Sequence, residues 1–253
     1  NLDRQRSGVP AQPSLALPNQ GYGIALIGAF GNSVRDGNYI AHNGFGGILA
    51  TSGAHHNVFG PGDSIFRNAG SGIEFAGAAT QWNRVMTEAI SYNGRDGIEQ
   101  YSGAANNAWV ATETFGNGGL GIDLEAEAIN GNIPSAGYPV ITSVLRSAGN
   151  VTLIGTSDAT YFGIGDANTT RVYIFHGGLD PSGYGEGQTF DRELTTDVNG
   201  IWQTTLSEGA TPRCYAAYNR SFGFFFLGSY DYGSEFSPST CVPKKAHLPR
   251  ILR

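Results

Sequence analysis

Charged and helix-favouring residues are scarce in this chain. Only 14% of its 253 residues are charged, it contains a single methionine, and its only lysines are Lys244 and Lys245. Glycine, by contrast, occurs 38 times. Surface helices need the long charged and unbranched side chains that are missing here, whereas glycine favours turns. The composition therefore predicts short strands joined by turns.

Long apolar runs, an excess of positive charge and cysteine clusters are also missing. No apolar run is long enough to cross a bilayer. The net charge is −6, and because residues 242–253 carry four basic residues and no acid, the rest of the chain carries −10. This charge argues against nucleic acid as a partner. The two cysteines have no His-Cys cluster around them that would suggest zinc.

The first 20 residues are predicted to be an irregular segment. They contain Pro10, Pro13 and Pro18, and they lack the basic start and apolar run of a secretory signal. We therefore expect either that a leader has been removed or that the chain belongs to a longer protein.

The abundant glycines and asparagines fall into a repeat. Gly-Ile pairs recur at steps of 24 or 25 residues, beginning at Gly23, Gly47, Gly72, Gly97 and Gly121. Two asparagine columns keep nearly the same interval, at Asn43, Asn68, Asn93 and Asn117 and at Asn32, Asn57, Asn83 and Asn107. So regular a period indicates a stacked repeat architecture.

Each repeat predicts three short strands and three corners. The Gly-Ile pair begins the first strand, and alternating apolar residues give that strand one buried face. Asparagine and glycine tolerate a left-handed backbone, so they mark the corners. This arithmetic predicts a short parallel β-helix of about four to five coils over residues 21–130, in which the asparagine columns have a structural role.

The repeat unit Asn-Gly-x-x-Gly-Ile, at residues 43–48 and 93–98, resembles that of the right-handed parallel β-helix proteins with the pectate lyase fold. Residues 119–124 resemble the closing turn of a bacterial subgroup in which a β-sandwich follows, and residues 180–190 and 234–237 resemble that sandwich. The resemblance implies a secreted or cell-surface bacterial protein. It specifies no activity, because the family includes lyases, hydrolases, epimerases, adhesins and carrier-like modules.

From residue 138 the pattern changes to separate alternating strands with turns between them. Strand candidates begin at Val140, Val151, Arg171, Trp202 and Cys214. Short strands at this spacing predict an antiparallel immunoglobulin-like sandwich over residues 138–241, after a linker at 125–137. We expect a disulfide between Cys214 and Cys241, in preference to two reduced thiols, and hence an oxidising compartment.

Two features at the end of the chain are candidates for docking a partner. The apolar run at 222–227 contains Phe224, Phe225 and Phe226, which are expected to form a core strand or a docking surface. Three consecutive residues of a strand cannot all face one side, so at least one covers something else. The basic tail over 242–253 carries Lys244, Lys245 and Arg250, and is expected to be either disordered or bound to a partner.

Candidate chemistry comes from the position that follows each Gly-Ile pair. This outward-facing column contains Ala25, Leu49, Glu74, Glu99 and Asp123. In the pectate lyase and polygalacturonase families, acids on one sheet face bind Ca²⁺ or act as catalytic acid and base, so the resemblance makes Glu74, Glu99 and Asp123 candidate catalytic residues or Ca²⁺ ligands. The simpler interpretation is that they are solvated surface residues, screened by salt and by Arg95.

The adjacent His55 and His56, with Asp63 further along, are a second candidate metal site. Neighbouring side chains on a strand point to opposite faces, so we expect an ordinary surface turn instead.

The resulting expectation is an extracytoplasmic, secreted, periplasmic or cell-surface module with a structural, adhesive or complex-forming role and no activity of its own. Its partners would be other protein subunits or a longer parent chain, since the end of a β-helix exposes unpaired strand edges. One alternative is a polysaccharide lyase or hydrolase that uses the acidic column. Another is a carbohydrate-binding domain that uses aromatic residues such as Trp82, Tyr101 and Trp109.

Overall fold

A computed structural model describes residues 18–86, 88–124, 139–157, 170–178, 186–209, 213–225, 228–234 and 236–241, without side chains for 221–232. Every regular element in these ranges is a β-strand. The chain is thus all-β, as the composition predicts. None of its described residues belongs to a helix with the length and hydropathy needed to cross a membrane.

The first half is a parallel β-solenoid of about four turns, built from three sheets. One sheet stacks the Gly-Ile strands β1 (Ile24–Ile27), β4 (Ile48–Thr51), β7 (Ile73–Ala76), β10 (Ile98–Tyr101) and β13 (Ile122–Leu124). The second stacks β2 (Ser33–Val34), β5 (Val58–Phe59), β8 (Arg84–Met86) and β11 (Ala108–Val110). The third stacks β3 (Tyr39–Ala41), β6 (Ser64–Phe66), β9 (Ala89–Ser91) and β12 (Glu113–Phe115). The predicted parallel β-helix is confirmed.

The interior of the coils is apolar because the repeat places the same kind of side chain at each level. The isoleucines of the Gly-Ile pairs pair in register from Ile24 to Ile122 and line the core. The glycine before each one is required by space. A Cβ at Gly72 would lie 2.6 Å from the Gly97 carbonyl oxygen and closer still to Ile90 Cγ2, so a side chain there would force the coils apart.

Both asparagine columns form hydrogen-bonded ladders through the corners, as predicted. In one ladder Asn43, Asn68 and Asn93 each donate from Nδ2 to Oδ1 of the asparagine one coil further on, over 2.7–3.0 Å. The backbone N–H of each donor residue points at the same oxygen. The ladder begins one level earlier than expected, because Asn19 Nδ2 donates to Asn43 Oδ1.

The second half consists of two antiparallel sheets. One contains β14 (Val140–Ser147), β15 (Asn150–Thr156) and β18 (Ile201–Ser207). The other orders β17 (Thr189–Thr195), β16 (Thr170–Gly177), β19 (Cys214–Phe225) and β20 (Gly228–Gly233), with β21 (Thr240–Cys241) also pairing with β19. The predicted disulfide joins Cys214 to Cys241 across the β19–β21 pair.

The sheet of β16 and β19 is buried on both faces. On one face Val172, Ile174 and Ala217 pack with Val151 and Leu153 of the other sheet, which gives the sandwich its own core. The opposite face contributes a separate set of residues to the core of the solenoid: Tyr173, Phe175, Ala216 and Tyr218. The core of the solenoid therefore extends onto one face of this sheet, and the sandwich has a second core on the other face.

Hydrogen bonds also join the last coil of the solenoid to the sandwich. Trp109 Nε1 donates to the Ser234 carbonyl oxygen over 2.9 Å, and the Thr112 N–H donates to Tyr218 Oη over 3.1 Å. The Glu186 carboxylate accepts from the backbone N–H groups of Gly116 and Asn117. The sandwich thus covers the C-terminal end of the solenoid.

The N-terminal end of the solenoid is open within the described residues. Strands β1, β2 and β3 are the outermost strands of their sheets on this side. Around them, the backbone carbonyls of Asn19 and Gly21 accept from Gly44 and Phe45 at one corner. Large apolar side chains are exposed at this level, with exposed fractions of 68% for Ile27, 70% for Phe30 and 66% for Tyr39.

Several predictions fall outside the described residues. These include most of the irregular N-terminal segment, the linker at 125–137, and Phe226, Lys244, Lys245 and Arg250. Phe224 and Phe225 lie in β19, opposite Ser229 and Gly228, and their side chains are not described.

Candidate functional site

The acidic column predicted from the repeat is present in register. Leu49 pairs with Glu74, Glu74 with Glu99, and Glu99 with Asp123 on successive parallel strands. The carboxylates alternate along their strands with the core side chains, such as Ile73 and Phe75 on either side of Glu74. The column therefore lies on the opposite face of its strands from the core.

The expectation that these acids are solvated is wrong for Glu74 and Glu99, which are only 5% and 2% exposed. Glu74 is enclosed by two tyrosines from different coils. Tyr22 Oη donates to Glu74 Oε2 over 2.8 Å, and Tyr101 Oη donates to the same oxygen over 3.1 Å. Both phenols approach from outside the coil, so they cover a position that one repeat by itself would leave open.

Glu99 is held by a hydroxyl and a guanidinium. Ser71 Oγ donates to Glu99 Oε2 over 2.6 Å, and Arg95 Nη2 donates to Glu99 Oε1 over 3.0 Å. The screening role expected of Arg95 is therefore a direct ion pair. Asp123, the third acid, is half-buried.

A further acid, Asp96, belongs to the same face and is buried in the adjoining corner. Its Oδ1 accepts from the Leu120 N–H over 2.6 Å. Burial raises the pKa of Asp96, the Leu120 N–H opposes that rise, and the nearby carboxylates of Asp123 and Glu99 add to it.

Burial and the Glu74 charge raise the pKa of both tyrosines that contact Glu74. Burial, together with Glu74, raises the pKa of Tyr101 to about 12, and the same causes raise the pKa of Tyr22 further. Both phenols therefore keep their protons at neutral pH and remain hydrogen-bond donors to Glu74.

The resulting cluster resembles a structural network more than a catalytic dyad. General acid–base cleavage of a glycoside uses one protonated and one ionised carboxyl group on either side of a substrate. Here the two central carboxylates are buried and hydrogen-bonded to side chains of the chain itself. Within the described ranges, no three His, Cys, Asp or Glu side chains are arranged to hold a metal ion. The proposed Ca²⁺ site at Glu74, Glu99 and Asp123 stays a hypothesis.

The aromatic residues suggested for carbohydrate binding lie in three different settings. Trp109 is fully buried at the junction, so it is not available to a ligand. Tyr101 is half-buried, with its hydroxyl group on Glu74. Trp82 is half-buried and stacks on His56, with 6.4 Å between ring centroids.

The two adjacent histidines lie on the same side of the chain, contrary to expectation. His56 has a φ of +55°, in the left-handed region, so the alternation of a regular strand does not apply. The rings meet edge to face, and the two Nδ1 atoms are 2.9 Å apart. Asp63 is not their partner. Its Oδ1 accepts from the backbone N–H groups of Gly37 and Asn38 and from Asn38 Nδ2.

A buried acid that the sequence analysis missed lies one coil beyond Asp63. Glu88 is 2% exposed, and neither of its carboxylate oxygens has a hydrogen-bond partner among the described residues. Burial raises the pKa of Glu88 to about 9, the Asp63 carboxylate adds to the rise, and the Asp63 N–H partly offsets it. The sequence contains a signal for this buried column, because Asn38, Asp63 and Glu88 follow one another at 25-residue steps.

Comparisons with known proteins give no family for this chain. No protein-family model matches it, and no curated protein matches its sequence. The geometry of the molecule therefore carries the functional argument.

Proposed function

We propose that this chain is a structural, complex-forming module without catalytic activity of its own. On this proposal it associates through the open N-terminal end of its solenoid. The observation that carries the proposal is the contrast between the two ends. The C-terminal coil is covered by the sandwich, whereas the first coil presents three outer strands and the exposed side chains of Ile27, Phe30 and Tyr39.

The chemistry of the open end favours a partner that adds a β-coil. Strands β1, β2 and β3 offer backbone N–H and C=O groups in the parallel register that every later coil uses. Extended segments dock on such edges by main-chain hydrogen bonds, and apolar side chains at the same level add buried area. A complete coil of 24 or 25 residues, the interval of the repeat, would come from another chain or from a longer parent protein.

We also infer the finer assignments that the sequence suggests. These are the right-handed, pectate-lyase-like form of the solenoid, the immunoglobulin-like form of the sandwich, and a bacterial secreted or cell-surface location. The Asn-Gly-x-x-Gly-Ile repeat supports the first. The Cys214–Cys241 disulfide supports an oxidising compartment outside the cytoplasm.

The polysaccharide-active alternative depends on Glu74, Glu99 and Asp123. The hydrogen bonds that enclose Glu74 and Glu99 favour a structural role for them. Loss of an activity on uronate polymers in Glu99→Gln, with the fold intact, would restore the enzymatic alternative.

The mass of the native assembly tests the proposal. We expect the protein to run above its chain mass of 26.7 kDa when isolated without denaturants. Ile27→Lys should return it to the mass of a single chain, because a charge would be buried at the interface. Val198→Lys, at a side chain 80% exposed in the sandwich, is the matched control and should leave the assembly intact.

A native protein that remains a single chain at all concentrations would contradict the proposal, as would an assembly that Ile27→Lys leaves unchanged. Amide exchange in β1 locates the contact, since its outer N–H groups should become protected only in the assembly.

A further inference from the structure

A ladder of four rings crosses one corner of the solenoid. Phe30 stacks on His55 with 5.2 Å between centroids and 6° between planes, and His56 stacks on Trp82. The two histidines lie between these aromatic rings, edge to face with each other. Phe30 and His56 are exposed, and His55 and Trp82 are half-buried. The ladder is therefore accessible from solvent.

Stacking fixes the two imidazoles so that their Nδ1 atoms are 2.9 Å apart. At this distance the two nitrogens can share one proton in a hydrogen bond, whichever ring carries it. A metal ion that displaces this proton would have two imidazole ligands on one side.

The distance between the two Nδ1 atoms determines the coordination angle that they can offer a metal ion. Metal–imidazole bonds are about 2.0–2.1 Å long, so two nitrogens 2.9 Å apart subtend about 90° at the metal. That is the cis angle of a square-planar or tetragonal centre, which Cu²⁺ and Ni²⁺ prefer, rather than the wider angle of tetrahedral zinc. Cu²⁺ also forms the most stable complexes with nitrogen ligands among the divalent first-row metals.

We propose that His55 and His56 form a two-imidazole site for a tetragonal divalent transition metal, best suited to Cu²⁺, which binds both Nδ1 atoms in cis. Water completes the coordination on the solvent side. Both ligands come from a single corner of one chain, and the site adjoins the proposed interface because Phe30, which stacks on His55, is exposed at the open end.

Residues at the equivalent positions of the neighbouring coils suggest substitutions that should preserve the fold. His55 is bridged to Gln81 at the same position of the next coil, so His55→Gln installs a residue that this corner already accommodates. Asn106 has a φ of +54° at the position equivalent to His56, so His56→Asn suits the same left-handed backbone. Far-ultraviolet circular dichroism and the thermal midpoint should match those of the wild type.

Titration of the metal-free protein with Cu²⁺ tests the site. We expect one ion per chain, quenching of Trp82 fluorescence, and an electron paramagnetic resonance spectrum with two equatorial nitrogens. His55→Gln and His56→Asn should each weaken binding about tenfold or more, because the second ligand contributes through its high effective concentration. Trp82→Phe should remove most of the quenching while the paramagnetic signal remains.

His247→Gln is the control for a histidine elsewhere in the chain, and it should leave the affinity unchanged. The proposal is overturned if His247→Gln abolishes binding, if either single variant at the pair binds as tightly as the wild type, or if the spectrum shows only one nitrogen ligand. Binding should also weaken as the pH falls, since protons compete for the same nitrogens.

Discussion

Buried acids in this protein differ in the donors that surround them. Glu74 receives two phenolic hydroxyls, and Glu99 receives a hydroxyl and a guanidinium. Asp63 Oδ1 receives the backbone N–H groups of Gly37 and Asn38 and the Asn38 side-chain amide. Glu88 follows Asp63 in the same column and is the exception. Its neighbour in the preceding coil is the Asp63 carboxylate, whereas in the asparagine columns that neighbour is an amide.

Burial therefore leaves Glu88 protonated at neutral pH. A Cβ at Gly60 would collide with both Glu88 Oε1 and the Met86 carbonyl oxygen, so these two acceptors lie close to the same point. A carboxylate charge buried in such surroundings is costly, which favours the uncharged form of Glu88.

We expect the stability of the wild type to fall as the pH rises from about 5 to 9. The pKa of Glu88 is raised from 4.5 to about 9, so in this window the native state holds a proton that the unfolded state has released. The loss amounts to at most about 1.4 kcal/mol per pH unit. Glu88→Gln should flatten the profile and exceed the wild type in stability at pH 8, as measured by urea unfolding.

Asp36→Asn, at an exposed side chain, is the control, and the pH dependence of its stability should follow that of the wild type. Equal pH dependence in the wild type and Glu88→Gln would show that Glu88 is not the buried proton site.

At the scale of the element, the asparagine ladders secure the corners of the coils. Each amide side chain accepts from the backbone and side chain of the coil before it and donates onward. Corners have few other hydrogen-bond partners, so the ladder satisfies backbone groups that stacking would otherwise bury unpaired.

Asn68→Ala should reduce the free energy of unfolding by about 2–5 kcal/mol, because it leaves several buried donors and acceptors unpaired. Asn68 Nδ2 donates to the Ile40 carbonyl oxygen and to Asn93, and its Oδ1 accepts twice from Asn43. Asn19→Ala, in the same column but exposed, should cost less than about 1 kcal/mol. Similar losses for both variants, measured by denaturant titration, would contradict a ladder stabilised by burial.

The sequence predicts much at this scale, since a period of 24 or 25 residues specifies strands, corners and register together. It does not show what covers the outer face. Tyr22 and Tyr101 enclose Glu74 from other coils, and nothing in a single repeat indicates their approach. The side-by-side histidines were missed for a local reason, because the left-handed φ of His56 overrides strand alternation. Asn19 was missed because it precedes the first Gly-Ile pair, where no strand pattern marks the level.

At the scale of the whole molecule, the two halves are joined through a sheet that is buried on both faces. Tyr218 illustrates the coupling, because it is fully buried, packs at a tilt against Phe175 and edge to face against Phe236, and accepts from the Thr112 N–H of the solenoid. The change from repeat to sandwich was visible in the sequence. The shared core was not, because the same alternating pattern describes an isolated sandwich.

We expect both halves to unfold as one cooperative unit. Tyr218→Phe removes the acceptor of the Thr112 N–H, so the free energy of unfolding should fall by about 1–3 kcal/mol. Native-state hydrogen exchange should show this loss equally in β8 of the solenoid and β15 of the sandwich. A loss confined to one half would contradict a common core, and Tyr39→Phe at the exposed end serves as the neutral control.

Within the described residues, one end of the solenoid is covered and the other is open, and this asymmetry limits the stoichiometry of the proposed assembly. Endless head-to-tail growth requires two complementary faces on each subunit. On the proposed function, a chain that stacks coils at one end only would be the last unit of a longer solenoid. On that proposal, its coils would end a filament and would not extend one.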